Sequence, residues 1–170
     1  YSMGCWVYLT NTATNHSSAF LSSGDWNTPS EQVCFGAYNY NNGYNILLVP
    51  NASGWSVGID ISSNKIQLNT WYHVAITYDG LKTNAYINGT YVGSYNGGGI
   101  NSNSIGYYYL GGATYYSGFT MKGRMNDFRI YNHVLSTKEI KELSKALVLH
   151  YTVDTPLYEQ ELVGNSSNQW

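Results

Sequence analysis

Ten carboxylates, four histidines and two cysteines are the groups in this 170-residue chain that could do acid–base, nucleophilic or metal chemistry. Cleaving a glycosidic bond with retention needs two carboxylates about 5–5.5 Å apart. The only strand-spaced acids are Glu159 and Glu161, and they fall in a polar tail, outside any sheet-centre position. Glu139 and Glu142 belong to a helix surface, and Asp25, Glu31, Asp60, Asp79, Asp127 and Asp154 are scattered. No Ser-His-Asp, Cys-His or H-E-x-x-H pattern occurs, and the histidines lie far apart in sequence. The chain is therefore expected not to be an enzyme. Cys5 and Cys34 make neither a disulfide framework nor a zinc site. They fall in strands that could share a sheet, where a bridge would need Cα atoms about 4.4–6.8 Å apart. Buried free thiols are the favoured outcome.

Only 11% of residues are charged, whereas 18 are Tyr and 18 are Gly. A chain this rich in aromatics and this poor in net charge is not disordered. Eight basic residues and a net charge of −2 argue against nucleic acid. No apolar run approaches the length of about 18 residues that would span a bilayer. The length suits one domain with a substantial core. The start at Tyr1, without Met, suggests a piece of a longer protein.

Strand-like runs separated by Gly/Asn/Ser turns fill the chain to about residue 134: 2–9, 18–22, 32–39, 44–49, 55–61, 71–78, 84–94, 106–111 and 125–131. In WYHVAITY, Tyr72, Val74, Ile76 and Tyr78 alternate with His73, Ala75 and Thr77, the period of a half-buried strand. Asn88-Gly89 between AYI and TYV signals a type I′ hairpin, because both central residues need positive φ. VLSTKEIKELSKAL breaks the pattern. Ser136 and Glu139 form a capping box, and Leu135 and Ile140 a hydrophobic staple, so a short helix is expected over about 136–146. ALVLHYTV (146–153) reads as a further strand and 154–170 as an irregular tail. Trp6, Trp55 and Trp71 are core candidates. Short strands with one late helix describe a two-sheet antiparallel sandwich, all-β apart from that helix and a single domain over 1–170.

NTWYHVAITYDG…AYINGTYVGS, then YYLGG and GRMNDFRIYNHVLSTKEIKEL, resemble the laminin-G-like jelly roll of the concanavalin A-like lectin/glucanase superfamily, in a pentraxin-like layout. The match is close over residues 70–146 and only general in style over 1–60. The resemblance implies a packed rather than catalytic His73. It also implies at most one Ca²⁺, a cation that takes six to eight oxygens, with Asn126 and Asp154 as ligands. Asn126 stands where the family often has an acid. The second, pentraxin-type calcium loop reads GGATYYSG here and has no acid. LVLHYTVD (147–154) resembles the family's opening strand. It either closes this domain, which is favoured, or begins a truncated second copy.

The Tyr/Asn/Gly/Ser-rich composition gathers at GDWNTP, GAYNYNNGYN, SYNGGGINSNS and GATYYSG. Aromatic faces with amide and hydroxyl neighbours suit sugars, and equally suit protein surfaces. The expected ligand residues are Trp26, Asn27, Tyr38, Tyr40, Tyr115 and Tyr116, gathered on one rim of loops. Modules resembling this one imply non-catalytic recognition of a cell-surface glycan or receptor, within a larger extracellular adhesin, surface protein or viral tail or fibre. The alternative is an assembly module whose aromatic loops contact other chains or domains of its parent. Four N-x-[ST] sequons, at Asn15, Asn51, Asn88 and Asn165, follow from so Asn/Ser-rich a composition.

Overall fold

Alternation along β1 (Ser2–Leu9) turns Met3, Cys5, Val7 and Leu9 inward, all at most 1% exposed, and Trp6 and Tyr8 outward. Nine further strands follow in the computed structural model, which describes residues 1–10, 16–23, 33–39, 44–50, 57–97, 99, 108–112 and 120–145. These strands are β2 (His16–Ser23), β3 (Val33–Asn39), β4 (Tyr44–Val49), β5 (Val57–Asp60), β6 (Trp71–Tyr78), β7 (Lys82–Ile87), β8 (Thr90–Asn96), β9 (Tyr108–Leu110) and β10 (Gly123–Tyr131). A 3-10 turn, Ser62–Asn64, follows β5, and one helix, α1 (Thr137–Leu143), ends the described chain.

The strands form two antiparallel five-stranded sheets, in the orders β10-β1-β6-β7-β8 and β5-β4-β3-β2-β9. Their inner faces share one core. Val74, Ile76, Ala85 and Ile87 from the first sheet meet Phe20, Phe35, Tyr44, Leu47 and Ile59 from the second. Phe20 and Phe35 pack edge-to-face with ring centroids 5.4 Å apart. The expected two-sheet sandwich with a late helix is the observed fold.

The hairpin and the helix lock each other. Asn88 (φ 49) and Gly89 (φ 75) take the positive φ that the type I′ turn requires. A Cβ on Gly89 would stand 2.9 Å from the Lys141 Cα, so only glycine lets α1 rest on the turn. Ser136 Oγ accepts from Glu139 N, and Glu139 Oε2 accepts from Ser136 N at 2.8 Å, completing the capping box. Leu135 and Ile140 are buried with Ala75 and Tyr86 on the outer face of the first sheet. Ser2 Oγ, fully buried, donates to His133 O and accepts from Leu135 N, tying β1 to the helix entry.

Several expectations are corrected. Trp6 and Trp71 are half-buried, not core. Cys5 and Val7 on β1, and Tyr72 and Val74 on β6, take the inner face, which turns the tryptophans outward. Trp71 packs there against Tyr8, with centroids 5.6 Å apart. Cys5 and Cys34 belong to different sheets, and Cys5 is a buried free thiol whose pKa burial pushes up. The helix ends at Leu143 rather than about 146, with Ser144 as C-cap. The hairpin expected at Asn88-Gly89 is present, its strands running Lys82–Ile87 and Thr90–Asn96. Trp55, the strand expected at 147–154 and the tail with Glu159 and Glu161 lie outside the described residues.

Candidate functional site

Of the six expected ligand residues only Tyr38 lies within the described residues. Trp26, Asn27, Tyr40, Tyr115 and Tyr116 lie outside them. Tyr38 is half-buried near the end of β3, its backbone paired with Ser17 and Ile46. The anchors of the neighbouring segments are described. Ser23 pairs with Val33 at one end of β3, bounding 24–32, and Asn39 pairs with Tyr44 at the other, bounding 40–43. Those two anchor pairs stand about 20 Å apart along the strand, at roughly 3.3 Å per residue.

A groove of about 350 Å³ opens at a different place, between the segment after β5 and the β7–β8 turn. Its lining is Ser63, Asn64, Lys65 and Gln67 on one side and Ile87, Asn88 and Thr90 on the other, with Tyr72 between. Two hydrogen bonds fasten each wall. On the hairpin side, His73 N donates to Asn88 Oδ1 at 2.9 Å, and Asn88 N donates to His73 O at 2.8 Å. On the opposite side, Ile66 N donates to Tyr44 O at 3.0 Å and Asn69 N to Leu9 O at 2.8 Å. Tyr72 packs its ring partly on the core and keeps the rest exposed. The arrangement presents one aromatic face, three amides and two hydroxyls, the equipment for holding a polyhydroxylated ring. Sequence reasoning missed it. The signal was the amide- and hydroxyl-rich run at 62–70, beside Tyr72 on a strand whose core candidate was Trp71.

The acids show no catalytic pairing among the described residues. Asp60 accepts from Ser62 N, and this contact with Ser62 holds its pKa down. Asp79 caps the turn at Leu81 and Lys82, whose amides lower its pKa. Glu139 serves the helix cap, Glu142 pairs with Lys145, and Asp127 pairs with Arg129 at 2.6 Å. Among the described residues no three His, Cys, Asp or Glu side chains converge.

His73 is packed, as expected, and only 5% exposed. Beneath α1 it lines a cavity of about 10 Å³ together with Asp127, Arg129 and Tyr131, room for one water. Its Nδ1 has no hydrogen-bond partner there, and burial lowers its pKa to about 4. Asp127 (φ 51) sits at the bulge where β10 gains a residue on β1. The described part of the expected calcium set does not fit a cation. Asn126 Oδ1 accepts from Asp127 N at 2.8 Å, and the Arg129 guanidinium already neutralises the adjacent carboxylate. Asp154, the second expected ligand, lies outside the described residues.

A family model described as concanavalin A-like lectin/glucanases superfamily (Laminin_G_3) matches residues 1–141. The chain belongs to that superfamily. No curated protein matches it in sequence. Among solved structures it is similar to domain 4 of an extracellular arabinanase from Geobacillus stearothermophilus, in complex with arabinotriose, at 19% identity and a TM-score of 0.63. That match covers 84% of this chain and 65% of the other, so the chain spans under two thirds of that relative. The heptameric pentraxin of Limulus polyphemus matches with a TM-score of 0.67 at 16% identity, over 84% of this chain and 68% of that one. The Ruminococcus gnavus IT-sialidase CBM40, bound to α2,3-sialyllactose, gives 0.64 at 15% identity, over 84% and 80%. At these identities the likeness carries the fold and the pentraxin-like layout.

Proposed function

We propose that this domain recognises carbohydrate and does not transform it. The observation that carries the reading is the groove beside Tyr72, where a half-exposed ring meets amides and hydroxyls and, among the described residues, no carboxylate lines the walls. An acid pair of the kind that hydrolyses glycosides has no place among these residues. Membership of the superfamily agrees with the reading. So do the arabinotriose and sialyllactose held by two proteins of similar fold. Trp26, Asn27, Tyr38, Tyr40, Tyr115 and Tyr116 are proposed as a second aromatic surface serving the same role. The setting proposed is an extracellular, surface-exposed part of a larger adhesin or fibre.

The test is a glycan array probed with the wild-type chain and with Asn64→Ala/Gln67→Ala, two exposed positions that leave the core intact. Saturable binding to at least one oligosaccharide is expected, weakened about 5- to 150-fold in the double variant, at about 0.5–1.5 kcal/mol for each of two hydrogen bonds. A folded chain that binds nothing on the array refutes the reading. Undiminished binding by the double variant moves the site away from this groove.

A further inference from the structure

We propose that the groove beside Tyr72 selects glycans bearing an anionic group, a carboxylate or a sulfate, seated on Lys65; this rests on the carbohydrate reading and narrows it. Among the described residues that line the groove, Lys65 is the one charged side chain. It makes no ion pair among the described residues, whose two salt bridges are Arg129–Asp127 and Lys145–Glu142. The nearest acid in sequence, Asp60, is held by Ser62 instead. Of the remaining basic side chains, Arg124 lies over the Tyr8 ring at 5.9 Å, and Lys138 and Lys141 stand on the helix surface.

The surroundings strengthen what one ammonium can do. Lys65 is exposed and shares the groove with the half-buried Tyr72 ring, so an anion there meets the ammonium at the edge of an aromatic face. Asn64, Gln67 and Asn88 carry amide N–H donors, and Ser63 and Thr90 carry hydroxyls. An anionic oxygen at the ammonium can therefore take neutral donors as well, while the sugar ring lies toward Tyr72. Lys82, Lys122, Lys138 and Lys141 also make no ion pair among the described residues, but Lys65 alone of the basic side chains is found in the lining of this groove.

The experiment titrates the full chain with four probes by calorimetry: a uronate-terminated disaccharide, its methyl ester, a sulfated disaccharide and the neutral parent. The uronate or the sulfate should bind about three- to tenfold more tightly than the ester and the neutral parent. Lys65→Gln should erase that advantage, bringing charged and neutral probes to the same affinity, and leave the melting point unchanged. Lys138→Gln should alter nothing. The advantage should shrink as salt rises toward 1 M, where the Debye length falls to about 3 Å. Which acid benefits tells carboxylate from sulfate. Equal binding of charged and neutral probes, or equal loss of all probes in Lys65→Gln, overturns the selectivity while leaving carbohydrate recognition standing. An acidic preference that survives Lys65→Gln overturns the role of Lys65. Binding of none of the four overturns both readings.

Discussion

Acid should loosen this domain through one side chain, His73. The imidazole is 5% exposed, packed edge-on against Trp6 with centroids 5.5 Å apart, and its Nδ1 has no hydrogen-bond partner among the described residues. Burial holds its pKa near 4, against 6.5 in the unfolded chain. Asp127 opposes this shift and Arg129 reinforces it, but both are partly exposed and Arg129 neutralises Asp127. Because the folded pKa is depressed, the unfolded chain binds the proton first, so stability falls as pH drops below about 6.5. At about 1.4 kcal/mol per tenfold difference in proton affinity, the full loss is about 3 kcal/mol, of which about 2 should accrue between pH 7 and pH 5. The carboxylates with lowered pKa, Asp60, Asp79 and Glu139, all titrate below that window. Urea unfolding at pH 7, 6 and 5 should therefore give a falling midpoint for the wild type and a nearly flat one for His73→Gln. A wild-type midpoint that does not move between pH 7 and 5, or a His73→Gln variant that falls as steeply, would refute a neutral buried imidazole.

Ser136→Ala should cost about 1 kcal/mol by opening the capping box, and Ile140→Ala about 2–4 kcal/mol by emptying the small cluster under α1. Both are read by chemical denaturation, and losses below half these values would mean that the helix is only loosely docked. Trp71→Ala should cost about 1–2 kcal/mol rather than the 3–5 of a core tryptophan, since the ring is half-buried against Tyr8. Thermal melting with calcium and with chelator should give equal midpoints, as Asn126 and Asp127 are already engaged locally. A rise of several degrees with calcium would show a site that these contacts do not exclude.

The elements legible in the sequence were those encoded by local rules. Asn88-Gly89 specified its turn because few other residue pairs adopt two successive positive φ values, and Ser136 with Glu139 specified the helix start because their bonds are sequence-local. Strand positions followed from period-2 alternation, which survives any sheet order. What alternation cannot give is which face turns inward when both carry aromatics. β6 has Trp71 and His73 on one face and Tyr72 and Val74 on the other, and only the opposite sheet decides. The same ambiguity hid the groove. Tyr72 counts as a core residue by its face, yet it lies at the start of its strand, where the second sheet no longer covers it completely. Cys5 and Cys34 illustrate a third limit, since sheet membership depends on pairing between segments far apart in sequence.

That same junction explains why the groove can serve as a preformed site. Tyr72 and Asn88, which both line it, are held by neighbouring backbone positions, because His73 directly follows Tyr72 and exchanges two hydrogen bonds with Asn88. Behind Asn88, Gly89 lies against α1, and α1 is itself anchored through Leu135 to Ser2 on β1. The opposite wall is fixed to β1 and β4 through Asn69 and Ile66. Neither wall therefore depends on the other, and a ligand entering between them orders little backbone. Low ordering entropy is what lets a shallow site bind a small polar ligand at all.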